Sequence, residues 1–169
     1  MQYRKLVSDD WLAYKEIRLK SLEEAPQAFE SSLFEESQFS SQQWRTRLTQ
    51  TPSSFCLGAL SDNGELKGIA GFSQGYKLKT QHKAYLWGVY VLQDARGSGV
   101  ARQLIETIIH EFNDRFDISF IQLTVTSNNA AAISLYQQLG FKQYGIEKDA
   151  IRVNDQSFDE ILMSLEKPN

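Results

Sequence analysis

Cysteine is almost missing from this chain, histidine is scarce, and basic residues have no majority; each shortage closes off a class of explanation. The single cysteine in 169 residues excludes an internal disulfide and a cysteine-built zinc centre. Cys56 lies in an apolar, strand-like run and reads as a buried thiol rather than a nucleophile. The two histidines, His82 and His110, are too few and too far apart to suggest a metal site. Lysine and arginine number 18 against 21 acidic residues, a formal net charge of −3, so there is no electrostatic footprint for nucleic acid. The mild acidic excess would suit a cationic substrate, but it is equally common in cytosolic proteins. The start, Met-Gln-Tyr-Arg-Lys-Leu, lacks the apolar core of a signal peptide, and no run approaches a membrane span in length. These absences predict a cytoplasmic protein with no metal, no nucleic-acid partner and no membrane partner.

What is present reads as one domain over residues 1–169, with enough apolar content (41%) to form a core without staples. Residues 2–7 suggest a strand. Ser8-Asp9-Asp10 suggests the cap of a helix running to about Glu24, with Trp11, Leu12, Ile17, Leu19 and Leu22 as its apolar stripe. Residues 27–40 are polar yet carry Phe29, Phe34 and Phe39, which predicts a loop packed over something. Ser41 suggests the cap of a second helix to about Leu48. Strands at about 54–60 and 65–75 flank Ser61-Asp62-Asn63-Gly64, where Asn-Gly marks a two-residue hairpin turn. A strand at 83–92 is followed by a helix from Ser98 to about Asn113, with Leu104, Ile105, Ile108, Ile109 and Phe112 at helical spacing. A strand from Ile118 to Val125, a helix from near Asn129 to Leu139, and strands near 141–148 and 158–165 close the chain. The order βααβββαβαββ predicts an α+β fold: a mixed, mostly antiparallel sheet of six or seven strands with helices on both faces.

The stretch Trp87-Gly-Val-Tyr-Val-Leu-Gln-Asp-Ala-Arg96-Gly97-Ser98-Gly99-Val100-Ala101-Arg102 carries the most chemistry. A β-rich run meets a glycine-punctuated turn at the start of a helix. Such a turn leaves backbone N–H groups uncovered beside the positive end of the helix dipole, an anion cradle best suited to phosphate. Arg-Gly-Ser-Gly taken alone fits a plain strand-to-helix connection equally well. A dinucleotide-binding turn would need a third glycine and an acidic residue after the next strand; a nucleoside-triphosphate loop would need Gly-Lys-Ser/Thr. Neither is here.

Arg96-x-x-Gly99-x-Ala101 resembles the Arg/Gln-x-x-Gly-x-Gly/Ala signature of the GNAT superfamily of acyl-CoA-dependent N-acetyltransferases. A second segment, Val125-x₃-Asn129-x₂-Ala132-x₂-Leu135-Tyr136-x₃-Gly140-Phe141, is similar to the segment found downstream in that superfamily. The likeness covers residues 60–165 well and the first 60 only by layout. Gln93 departs from it, standing where relatives often have proline. The resemblance implies acetyl-CoA as co-substrate, with its pyrophosphate on the N–H groups of Arg96, Gly97, Ser98, Gly99, Val100, Ala101 and Arg102. Its pantetheine arm would pair with the backbone of Val89 and Val91 and touch Asn129 and Ala132. The Val89 amide would face the acyl carbonyl, stabilising the oxyanion, and Tyr136 would be the general acid to the leaving thiolate.

The residues themselves allow Tyr136 to be simply a core tyrosine, and Asn129 to be simply a helix cap. No base stands on the central strand, where Tyr85 and Trp87 face the acceptor. His82 reads as a surface residue, and Glu30, Glu35 and Glu36 read as the solvated face of a loop, so the general base is unassigned. Trp87, Tyr85, Tyr76 and the phenylalanines of 29–39 suggest apolar walls for an acceptor site, and could equally be core or the face of a homodimer. The expected activity is direct transfer of acetyl from acetyl-CoA to a primary amine of a small molecule or a protein. Two alternatives stand beside it: another acyl-CoA donor, and a non-catalytic acyl-CoA sensor that lost its base.

Overall fold

The structure, a computed structural model, describes residues 1–115 and 117–167. Its elements follow in chain order: β1 (Gln2–Lys5), α1 (Trp11–Glu24), α2 (Leu33–Ser37), α3 (Ser41–Arg47), β2 (Ser54–Leu60), β3 (Leu66–Gln74), β4 (Lys83–Val91), α4 (Val100–Asn113), β5 (Phe120–Thr126), α5 (Ala130–Gln138), β6 (Lys142–Val153) and β7 (Gln156–Glu166). Seven strands form one sheet in the order β1-β2-β3-β4-β5-β7-β6, antiparallel throughout except for the β4–β5 pair. The expected α+β architecture holds, with one helix more than expected. Ser32 and Glu35 form a reciprocal capping box that starts α2 inside the segment read as a loop.

Alternation along the strands sorts the apolar residues into two cores, so helices cover both faces. Leu57, Ala59, Ala70, Phe72, Ala84 and Leu86 pack under Leu104, Ile105, Ile108 and Phe112 of α4 and Tyr136 of α5. On the other face Leu6, Cys56, Ile69 and Tyr90 pack against Tyr14 and Ile17 of α1 and Trp44 of α3.

Several sequence expectations need correction. Leu12 is exposed; the buried face of α1 is Tyr14, Ile17, Arg18, Ser21 and Leu22, two of them polar. Phe34 is exposed while Phe29 and Phe39 pack against the second core. Ser40, not Ser41, caps α3. The β2–β3 turn is not a two-residue hairpin. Ser61 N donates to Glu65 O at 2.9 Å and only Gly64 has positive φ (84°), the pattern of a turn closed by a left-handed residue. The true two-residue turn is Asn154-Asp155, both at positive φ, and it lets β6 and β7 run longer than expected.

Candidate active site

β4 and β5 are held in parallel register only at Lys83↔Phe120, Ala84↔Ile121 and Tyr85↔Gln122. Beyond Tyr85 the strands part. On the other side of β4 the register jumps from Gly71↔Trp87 to Ile69↔Tyr90, so Gly88 and Val89 together oppose Ala70, with Gly88 at φ 63°. Such a bulge bends its strand and shifts which residues face which way. Leu86 lies in the α4-side core before it and Val91 after it, while Tyr90 joins the opposite core.

Two cavities open at this parting. The first, about 400 Å³, is lined by Val89, Val91, Arg96, Ala101, Asn129, Ala132 and Tyr136 among others. The second, about 430 Å³, is lined by Arg18, Arg47, Glu30, Tyr85, Tyr144 and Glu160 among others. Ala28, Phe29, Leu86, Trp87, Gly88 and Thr124 belong to both, so the cavities meet at the bulged stretch of β4.

The glycine turn lies between Arg96 and Ala101, both of which line the first cavity. Gly97 and Gly99 have φ of 77° and 85°, which only glycine adopts freely, and Gly99 is the N-cap of α4. The first hydrogen bond of the helix runs from Gln103 N to Gly99 O (3.0 Å). No N–H group of residues 97–102 has an acceptor among the described residues. These six donors stand at the start of a helix, where an anion is favoured. The side chains around it are differently engaged. Val100 is buried in the core, so it offers its backbone alone. Arg96 donates to Val91 O (3.0 Å) and Glu24 Oε2 (3.1 Å), and Arg102 reaches Gln138 on α5.

Tyr136 is 7% exposed, with its ring set edge-on to Phe141 at 5.8 Å. Burial alone pushes its phenol up to about 12, and no hydrogen bond joins the hydroxyl to another described residue. The proton is therefore retained across the physiological range in a group that lines the first cavity. Asn129 caps α5, its Oδ1 accepting from Ala132 N at 3.2 Å, and lines the same cavity.

The arrangement of fold, cradle and paired cavities can be compared with known proteins. A model of the acetyltransferase (GNAT) family matches residues 15–141. The chain belongs to this family. Among family relatives, the ribosomal protein bS18-alanine N-acetyltransferase of Escherichia coli K12 is 35% identical over 83 residues, which is 49% of this chain and 55% of that protein. The L-2,4-diaminobutyric acid acetyltransferase of Halomonas elongata is 33% identical over 85 residues, 50% of this chain and 42% of that protein. The chain spans about half the length of the curated relatives it matches. A GNAT-family acetyltransferase from Streptococcus pneumoniae shares the fold at a TM-score of 0.86 and 20% identity, over 98% of this chain and 99% of that one. A putative acetyltransferase from Salmonella typhimurium, solved with its cofactor acetyl-CoA, shares it at 0.82 and 22%, over 98% and 93%.

Within this family framework the acceptor side departs most from the sequence expectations. Tyr85, Trp87 and Phe29 line the second cavity, but Tyr76 is 86% exposed and lines neither cavity. His82 is exposed, edge-on to Phe120. Glu35 serves the capping box of α2. Glu36 is not on a solvated face: it is 1% exposed and ion-paired with both Arg18 and Arg47. Sequence reasoning missed Glu160 altogether. It lies on β7, opposite Thr126 of β5 and Glu147 of β6, 5% exposed, in the wall of the second cavity. Burial raises its carboxyl above the usual range, Glu30 and Glu147 add to this, and the Thr124 side chain partly offsets it. A lone Glu in an alternating strand gives no sequence signal; only the sheet order brings it beside the parting.

Proposed function

We propose that the protein is an N-acetyltransferase that moves the acetyl group of acetyl-CoA to a primary amine by direct attack in a ternary complex. The observation that carries this reading is the meeting of the two cavities at the bulge of β4, one of them starting from a cradle of free N–H groups. The coenzyme pyrophosphate would rest on residues 97–102, with its arm running along Val91 and Val89 past Asn129 and Ala132. The amine would enter from the second cavity.

The acceptor arrives as an ammonium, and Glu160, directly or through water, takes one proton to free its lone pair. Nitrogen attacks the thioester carbon, and the Val89 amide supports the charge on the carbonyl oxygen. Collapse breaks the C–S bond, and Tyr136 hands its proton to the departing sulfur. The remaining nitrogen proton returns to the phenolate through solvent. Glu160 also weakens the case for a sensor without a base, since that case rested on the lack of a carboxylate on the central strand. Cys56, buried with its thiol pushed up to about 12 by desolvation, is unsuited to carry the acetyl group.

The relatives' names point to two kinds of amine, an alanine of a ribosomal protein and a diamino acid. The test is thiol release from acetyl-CoA by the purified protein against amines, polyamines, amino acids and N-terminal peptides. Amine-dependent release is expected. Coenzyme binding without turnover on any amine would overturn the reading in favour of a sensor.

A further inference from the structure

The second cavity has two electrical poles. On the helical side Arg18 of α1 and Arg47 of α3 flank Glu36 of α2; on the sheet stands Glu160, and Glu30 of the loop before α2 is close enough to raise its carboxyl. Arg18 gives Glu36 two hydrogen bonds, Nε to Oε2 at 3.0 Å and Nη2 to Oε1 at 2.9 Å, and Arg47 Nη1 lies 2.7 Å from Oε2. One carboxylate thus serves two guanidinium groups and leaves a net positive charge in that wall. Burial works to raise the Glu36 carboxyl, but the hydrogen bonds from both arginines prevail and hold it below its ordinary range, so it stays ionised.

The pairing is also incomplete. Arg18 is 5% exposed, its guanidinium lies 4.7 Å from the Phe29 ring, and its Nη1 has no hydrogen-bond partner among the described residues. Arg47 Nη1, also buried, is engaged with Glu36 Oε2, so the donor left without a partner is that of Arg18. A buried charged donor left unmade is costly, and such groups are normally satisfied by protein, water or ligand. A buried Arg–Glu–Arg triad can serve as a structural clamp on its own. Here both arginines line the space from which the acceptor enters.

We infer that the acceptor is a primary amine that also carries a carboxylate, an amino-acid-like zwitterion whose carboxylate is bound by Arg18 and Arg47. This inference rests on the acetyl-transfer reading. A planar guanidinium fork recognises a carboxylate in two-point geometry. The same cations repel a polyamine, which would otherwise suit Glu160 and Glu30. Charge at both poles therefore selects a dipolar ligand over a doubly cationic one.

The experiment runs a set of amino acids as acceptors, each beside its carboxamide and its decarboxylated amine. The free acid is expected to lead in kcat/KM by a factor on the order of 10–100, the range of one charge-assisted hydrogen bond. Arg47→Gln, at a half-exposed position, should shrink that ratio towards one, and Arg18→Lys should shrink it while keeping the charge beside Glu36. Equal use of acid, amide and decarboxylated amine overturns the inference, as does a ratio untouched in Arg47→Gln. Calorimetry on the CoA-loaded protein with N-acetyl amino acids and their amides decides the matter independently of turnover. Binding confined to the acids supports the inference, and binding of both alike or of neither contradicts it. Carboxylate binding without turnover of any amine would instead contradict the transfer reading alone.

Discussion

Tyr136 and Glu160 are both buried ionisable groups, and burial keeps a proton on each more firmly than water would. For the tyrosine this suits a general acid, which must arrive protonated. Its hydroxyl makes no hydrogen bond to another described residue, so Tyr136→Phe removes chemistry without removing a structural tie. The expected result is a kcat lower by about 10²–10⁴-fold, the usual range for a proton-transfer group, with the acetyl-CoA KM and the melting temperature nearly unchanged. Undiminished kcat would take Tyr136 out of the mechanism. For the glutamate the sign is reversed, because its working form is the ionised one. A carboxyl raised in the folded state binds its proton more tightly there than in the unfolded chain, so its effect on stability turns unfavourable as pH rises through the folded value. At neutral pH the buried carboxylate, faced by Glu30 and Glu147 as well as by Arg18 and Arg47 across the cavity, is a strained group. Glu160→Gln should therefore raise the melting temperature at pH 7 by about 2–4 °C, the shift that ~1 kcal/mol produces in a domain of this size, while lowering kcat/KM for the amine. The acidic limb of the wild-type pH profile should lie above the ordinary glutamate range and vanish in the variant. A limb that persists in Glu160→Gln assigns the base elsewhere.

At the scale of elements, the cradle is a property of how α4 begins. A Cβ at Gly99 would meet nothing within 4 Å, so a substitution there meets no steric wall, only the strain of φ at 85°. Gly64 has nearly the same φ, 84°, and equally open surroundings, but lies in the β2–β3 turn. Gly99→Ala and Gly64→Ala should thus cost similar stability, about 1–2 kcal/mol for a left-handed alanine. Only the first should raise the KM for acetyl-CoA, by tenfold or more, because only there do the freed N–H groups move. Equal KM values in both variants would detach the cradle from the coenzyme. This turn was legible in the sequence because glycine spacing and helix periodicity fall side by side. The same holds for Asn129 and Tyr136, which share one short helix. The short helix α2 was hidden because its Leu33 and Phe34 are exposed and leave no apolar stripe, although Ser32-x-x-Glu35 signals its cap. The reach of β6 was hidden too, since an edge strand exposed over most of its length need not alternate. Arg18 and Glu36 were masked by each other: a charged residue on the buried face of a helix breaks the pattern that betrays the face, and its partner lies in another element.

At the scale of the molecule, the sheet order decides what the site can be. β7 enters between β5 and β6, so the strand next to β5 carries Glu160, from a part of the chain outside both motif segments. The cavity proposed for the donor draws largely on residues that a motif can reveal, whereas the one proposed for the acceptor gathers α1, α3, β4, β5, β6 and β7. That division explains why a sequence can name the donor and stay silent on the acceptor. It also leads to a quantitative prediction, that the two cavities, which share Leu86, Trp87, Gly88 and Thr124, admit one continuous ligand. A conjugate joining CoA through an acetyl bridge to the nitrogen of an amino acid fills both, and the second half binds without a second loss of translational freedom. Its affinity should exceed that of CoA by about 10²-fold or more, with competitive inhibition against acetyl-CoA and amine alike. Arg47→Gln should remove much of that advantage while leaving the affinity for CoA itself in place. At a concentration 100 times its Kd the conjugate should stabilise the fold by about 2.7 kcal/mol, which thermal unfolding can read directly. A conjugate that binds no better than CoA, and competes with acetyl-CoA alone, would mean that the second cavity is not where the amine waits.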